Sequence, residues 1–196
     1  VALSGTAADI TSALSGISGY TGALTASGTQ TGSVGVAALN TLGGATSGVV
    51  TATVSGASAE LAGLTTAGTD LIAVTLSDAH TLPQLKAINN ATGGQITLNS
   101  VSVALSGTAA DVAAALDGSF AASYTGDVSL TDVHDLPQLK AINAGTSGDI
   151  TLFSSTAALS GSAADITAGL TGISGYAGAV TASGTQTGSA GVTAVN

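Results

Sequence analysis

The segment Asp78-Ala79-His80-Thr81-Leu82-Pro83-Gln84-Leu85-Lys86-Ala87-Ile88-Asn89 returns as Asp132-Val133-His134-Asp135-Leu136-Pro137-Gln138-Leu139-Lys140-Ala141-Ile142-Asn143. A recurrence of this length marks a repeat architecture, in which each copy must bury its apolar face against its neighbours. A second motif alternates with it. Its copies run from Ala2 to Ile10, Thr53 to Leu61, Ala104 to Val112 and Ala158 to Ile166. The apolar residues before their Ser-Gly are Leu3, Val54, Leu105 and Leu159, which are almost evenly spaced. The pairs Leu39-Asn40, Ile88-Asn89, Ile142-Asn143 and Val195-Asn196 keep nearly the same interval. Four repeats therefore tile residues 1–196 as one continuous array, at about 1–51, 52–102, 103–156 and 157–196. The close likeness of 1–40 to 157–196 suggests a longer period of three repeats. The chain begins in mid-pattern at Val1, so it is expected to be an interior piece of a longer polypeptide.

Each repeat carries two helical patterns. Ile10, Leu14 and Ile17 share one helix face, and Thr6 with Asp9 reads as a capping box with Asp in place of Glu. Leu82, Leu85 and Ile88 share another, with Pro83 in the first turn and Thr81, or Asp135 in the next copy, as N-cap. The equivalents Val36 with Leu39, and Val192 with Val195, lie in helices expected to be weaker, because Gly35 and Gly191 interrupt them. Between helices come apolar–hydroxyl–apolar triplets. One series is Leu24-Thr25-Ala26, Val74-Thr75-Leu76, Val128-Ser129-Leu130 and Val180-Thr181-Ala182. The other is Val50-Thr51-Ala52, Ile96-Thr97-Leu98 and Ile150-Thr151-Leu152, preceded by Gly48, Gly94 and Gly148. Such triplets are strands with one buried and one solvated face. The second series is expected to be one extended segment, with an insertion in the second and third repeats.

Two strands alternating with two helices in each repeat imply parallel pairing through crossovers. Neighbouring strands are about 4.8 Å apart while packed helices need about 8–10 Å, which forces curvature. The expected fold is an α/β solenoid of short parallel strands alternating with short helices, leucine-rich-repeat-like, with about two coils per repeat. The alternative is one coil per repeat, with helices on two sides.

Composition excludes several function classes. Two basic against eleven acidic residues give a net charge of −9, and nucleic-acid binding needs clustered Lys and Arg. No apolar run of about 18 residues could span a membrane. The absence of Cys removes disulfides and thiolate metal sites.

The chemical candidates are Asp78 with His80 and Asp132 with His134. Two such pairs on neighbouring repeats could bind Zn²⁺ or Ca²⁺ or polarise a substrate. Against this, Asp at a strand end is a turn residue, and a His facing water needs no ligand. The first and last repeats carry Ser27-Gly28-Thr29-Gln30 and Ser183-Gly184-Thr185-Gln186 instead. The acids Asp9, Glu60, Asp111 and Asp165 read as helix caps rather than a calcium ladder, and Lys86 and Lys140 as solvated helix residues. The recurring Asn fits a left-handed C-cap, or a side-chain ladder. Tyr20, Tyr124 and Tyr176 occupy one equivalent place and read as core or turn plugs. Regular hydroxyls could order water or ice, but one per strand is what a soluble strand face needs. Asn90-Ala91-Thr92 is an N-glycosylation sequon.

The stretches LSGTAADVAAAL, YTGDVSLTDVHDLPQLKAIN and GTSGDITL resemble tandem repeats of very large surface proteins and adhesins of aquatic bacteria. That resemblance implies a non-enzymatic structural role in an extracellular fibre, sheath or surface layer. It implies neighbouring copies or flanking repeats as partners, and an extracellular or cell-surface location. The alternative is an adhesin-like module for glycans or surfaces. An enzyme on this scaffold would need clustered carboxylates with aromatic platforms, which the sequence lacks. No cofactor is expected, calcium being a candidate.

Overall fold

The computed structural model describes residues 1–184. It is an α/β fold in which parallel strands alternate with helices. In order these are β1 (Leu3–Gly5), α1 (Ala7–Ala13), β2 (Leu24–Thr31), α2 (Gly32–Ala45), β3 (Val50–Gly56), α3 (Ser58–Leu61), β4 (Leu71–Leu76) and α4 (Leu82–Asn90). Then come β5 (Ile96–Thr97), β6 (Leu105–Gly107), α5 (Ala109–Leu116), β7 (Val128–Leu130), α6 (Leu136–Gly145), β8 (Ile150–Thr151), β9 (Leu159–Ser162), α7 (Ala163–Leu170) and β10 (Val180–Ser183). Helices begin at near-even intervals, at Ala7, Gly32, Ser58, Leu82, Ala109, Leu136 and Ala163. Val192, Val195, Gly191 and Asn196, with Thr185 and Gln186, lie outside the described residues.

The described residues form two compact units, 1–100 with 118–122, and 101–117 with 123–184. In the first, five parallel strands pair in sequence order, β1 to β5. Leu3 is opposite Leu24, Leu24 opposite Val50, Val54 opposite Val74, and Val74 opposite Ile96. Neighbouring strands are thus one strand–helix pair apart. This overturns the alternative of one backbone circuit per repeat. The inward residues Val50, Ala52, Val54, Ile72, Val74 and Leu76 pack against Ile10, Leu39, Leu42, Leu61 and Ile88 of the helices. Fully burying one such side chain is worth about 1.5–3 kcal/mol. The outward residues are mostly Ser and Thr. Ser4, Thr25 and Thr51 form one cross-strand row, and Thr31, Ser55, Thr75 and Thr97 another.

In the second unit β6, β7 and β8 form one parallel sheet and β9 with β10 another. Leu136, Leu139, Leu159 and Ile166 form a buried cluster there, with Tyr176 against it. The expected insertion has a structural consequence. β3 runs unbroken from Val50 to Gly56, whereas its equivalents are divided into β5 and β6, and into β8 and β9. β5 pairs back to β4 and β6 pairs forward to β7, so the inserted residues end one sheet and begin the next. Every bridge among the described residues is parallel, which leaves no hairpin at that place.

Local rules explain the helices. The Thr6, Thr108 and Ser162 hydroxyls accept from the N–H groups of Asp9, Asp111 and Asp165. Asp is too short to complete a full capping box. In α1 and α7 its carboxylate accepts from the N-cap hydroxyl itself, at 2.7 Å in both. Glu60 is long enough to accept from the Ala57 N–H at 3.1 Å. In α6 the box is complete: Gln138 N–H donates to Asp135 at 2.8 Å, and Asp135 N–H to Gln138 at 2.9 Å.

Two expectations for the helices fail. Ile17 lies beyond α1 and is 55% exposed, because the helix ends before its third apolar position. α2, read as weak, is the longest described helix at 14 residues. Its Gly35 is buried where a Cβ would come within 2.8 Å of the Gln30 main chain, so close packing offsets the poor propensity.

Candidate functional site

Asp78 and Asp132 follow β4 and β7, and each reaches back to the preceding helix. The Asp78 carboxylate accepts from the Ser58 N–H at 2.7 Å, and Asp132 from the Ala109 N–H at 2.7 Å. These are first-turn donors of α3 and α5, where an acid also complements the helix dipole. The Ser58 hydroxyl donates in turn to the Ala79 carbonyl at 3.1 Å. Each Asp therefore joins one strand–helix pair to the one before it.

The histidines do not face water, contrary to the expectation for a bland role. His80 is 3% and His134 4% exposed. Burial pushes both imidazoles below their ordinary pKa. Asp78 opposes this at His80, as do Asp135 and Asp132 at His134. The His134 ring lies 6.1 Å from that of Tyr176, tilted by 56°. Among the described residues no group of three or more His, Cys, Asp or Glu is placed to hold a metal ion. The pairs combine a helix-capping carboxylate with a buried neutral ring.

Other side chains identified in the sequence also link neighbouring pairs. Asn40 donates to the Gly63 carbonyl at 2.9 Å and accepts from the Thr65 N–H at 2.8 Å; Asn143 donates to the Ala168 carbonyl at 2.6 Å. The left-handed C-cap reading is overturned, since no non-glycine residue has positive φ among the described residues. The Asn caps the end of the next helix, not its own. Lys140 of α6 pairs with Asp165 of α7, which corrects the reading of Lys140 as merely solvated.

The tyrosines read as core or turn plugs belong to a recurring Tyr-x-Gly motif, and a Thr-x-Gly motif that went unread ends at the glycines before the second strand series. In Tyr20-Thr21-Gly22, Tyr124-Thr125-Gly126 and Tyr176-Ala177-Gly178 the hydroxyl donates to the carbonyl of Val1, Val103 and Ala157, respectively. A Cβ at any of the three glycines would overlap that same oxygen. In the second repeat Asp70 stands where the Tyr would, 4% exposed, and accepts from the Val50 N–H at 2.7 Å and the Ala67 N–H at 2.9 Å. Thr46, Thr92 and Thr146 precede the noted glycines by two. Each donates to a carbonyl of the preceding pair and accepts from Gly48, Gly94 or Gly148. The signal for both motifs was the exact-place recurrence of Tyr-x-Gly and Thr-x-Gly.

A shallow polar cleft of about 180 Å³ lies in the second unit, lined by Asn143, Ser147, Asp149, Thr171 and Ile173 among others. Small-molecule sites usually run to about 300–1,000 Å³ and present apolar walls. No family model, curated protein or solved structure matches this chain.

Proposed function

We propose that each unit is a stretch of α/β solenoid and that the chain is a non-enzymatic structural segment of an extracellular fibre, sheath or surface layer. The observation that carries this reading is the use of polar side chains. Asp, Asn, Tyr and buried Thr at repeating positions all bond to the main chain of the adjacent strand–helix pair. A catalytic site needs such groups converging on a reacting atom. Immunogold electron microscopy of the native source tests it. Labelling along a continuous array outside the cell is expected, and labelling confined to the cytoplasm refutes it.

A second reading, an adhesin-like module, is favoured by the rows of exposed hydroxyls on the open sheet face. Uncharged hydroxyl rows suit hydrogen bonding to glycans. Binding on a glycan array that disappears with Thr25→Val and Thr51→Val supports it, and an unaltered signal in that variant rejects the sheet face.

A further inference from the structure

His134 is a titratable group that neither proposed role uses. It is 4% exposed, and neither ring nitrogen has a hydrogen-bond partner among the described residues. The ring lies just before α6 and packs on Tyr176, which itself packs on the Leu136–Leu139–Leu159–Ile166 cluster. Tyr176 is held in turn by its bond to the Ala157 carbonyl. A neutral imidazole is tolerated in such a place at the cost of two unmade hydrogen bonds. A charged one is not, because a buried cation needs an acceptor.

We propose that His134 is an acid-operated joint in the second unit, whose protonation loosens the Tyr176 segment from the start of α6. The groups around it do not prevent this. Asp132 is committed to the Ala109 N–H and Asp135 to the Gln138 N–H. Both attract the proton, yet burial remains the larger influence on the ring. Tyr176 faces it as a neutral phenol. On the flanking helices, Lys140 and Asp165 are paired with each other, and Asp111 sits in the first turn of α5.

The sign follows from linkage. The open form titrates near the ordinary 6.5, and the closed form lower. Closure is thus fully stable above pH 6.5 and weakens as pH falls below it. One linked proton changes the opening constant by up to about tenfold per pH unit.

Two measurements on the full chain test this. The first is an NMR titration of the His134 ring, expected to show a midpoint below 6.5. The second is hydrogen exchange over residues 131–136 and 173–178 from about pH 7 to 5, corrected for intrinsic rates. Opening is expected to rise by up to about tenfold per unit in the unaltered chain and to stay flat in His134→Gln and His134→Leu. A midpoint at or above 6.5 overturns the proposal, as does pH-independent opening of the unaltered chain or an unchanged slope in a folded variant. If both variants fail to fold, the two measurements on the unaltered chain decide it.

Discussion

At the scale of single residues, the side chains that matter were visible in the sequence but their partners were not. Asn40 and Asn143 stood out by recurrence, yet an Asn at a helix end suggests a cap for that helix. Its true partners lie one strand–helix pair further along the chain. Lys140 has no acid on the preceding turn of its own helix, but Asp165 lies one strand–helix pair ahead. Asn40→Ala removes two bonds between neighbouring pairs and is expected to cost about 1–2 kcal/mol, read by urea unfolding. Lys140→Met tests the ion pair differently. The Lys140 hydrogen bond is the first cause holding Asp165 below its ordinary pKa, with Ser162 next. The variant should let that carboxyl titrate at higher pH by carbon-detected NMR. Tyr124 is 2% exposed, and burial pushes its phenol up to about 12. Its neutral form stabilises the fold fully below pH 10, and that contribution fades as pH rises toward about 12. Tyr124→Phe should lose stability at neutral pH through the missing bond to Val103. It should also show a shallower alkaline decline than the unaltered chain.

At the scale of elements, strand and helix patterns were legible wherever an apolar period ran long enough. Leu82, Leu85 and Ile88 are all buried, as are Leu136, Leu139 and Ile142. The short strands at Leu-Ser-Gly (β1, β6 and β9) were not, because so few residues carry no alternation of their own. Their pairing comes from the neighbouring strand. The sheet breaks follow from inserted residues, whose number is legible but whose effect on pairing is not. β5 and β8 hold only two residues each, while β3 and β4 hold seven and six. Native-state hydrogen exchange should therefore find the slowest amides of the first unit in β3 and β4, and much faster ones in β5. Equal protection in β5 would contradict the break. Asp132→Ala should fray α5 from its start, with faster exchange at Ala109 to Asp111 and a loss of about 1 kcal/mol. Asp132→Asn, which keeps an acceptor, should fall between.

For the molecule as a whole, the question is what eleven acids are doing in a chain with two cations. Acidity of this kind invites a calcium reading, and several acids recur at repeat spacing. The structure shows a different use. At least eight of the eleven accept hydrogen bonds from the chain itself: Asp9, Glu60, Asp70, Asp78, Asp127, Asp132, Asp135 and Asp165. Most of those donors are backbone N–H groups at helix starts and strand joints, which would otherwise stand unmet. The negative charge is thus a by-product of capping helix starts and strand joints many times over. A calcium site would instead draw six to eight oxygens about 2.3–2.6 Å from one point. Thermal unfolding in chelator and in excess calcium should therefore give the same midpoint. A site filled to a hundred times its Kd would add about 2.7 kcal/mol. In a chain of this size that is a rise of several degrees. Such a rise would mean that the carboxylates converge on an ion, and the capping account of the acidity would fail with it.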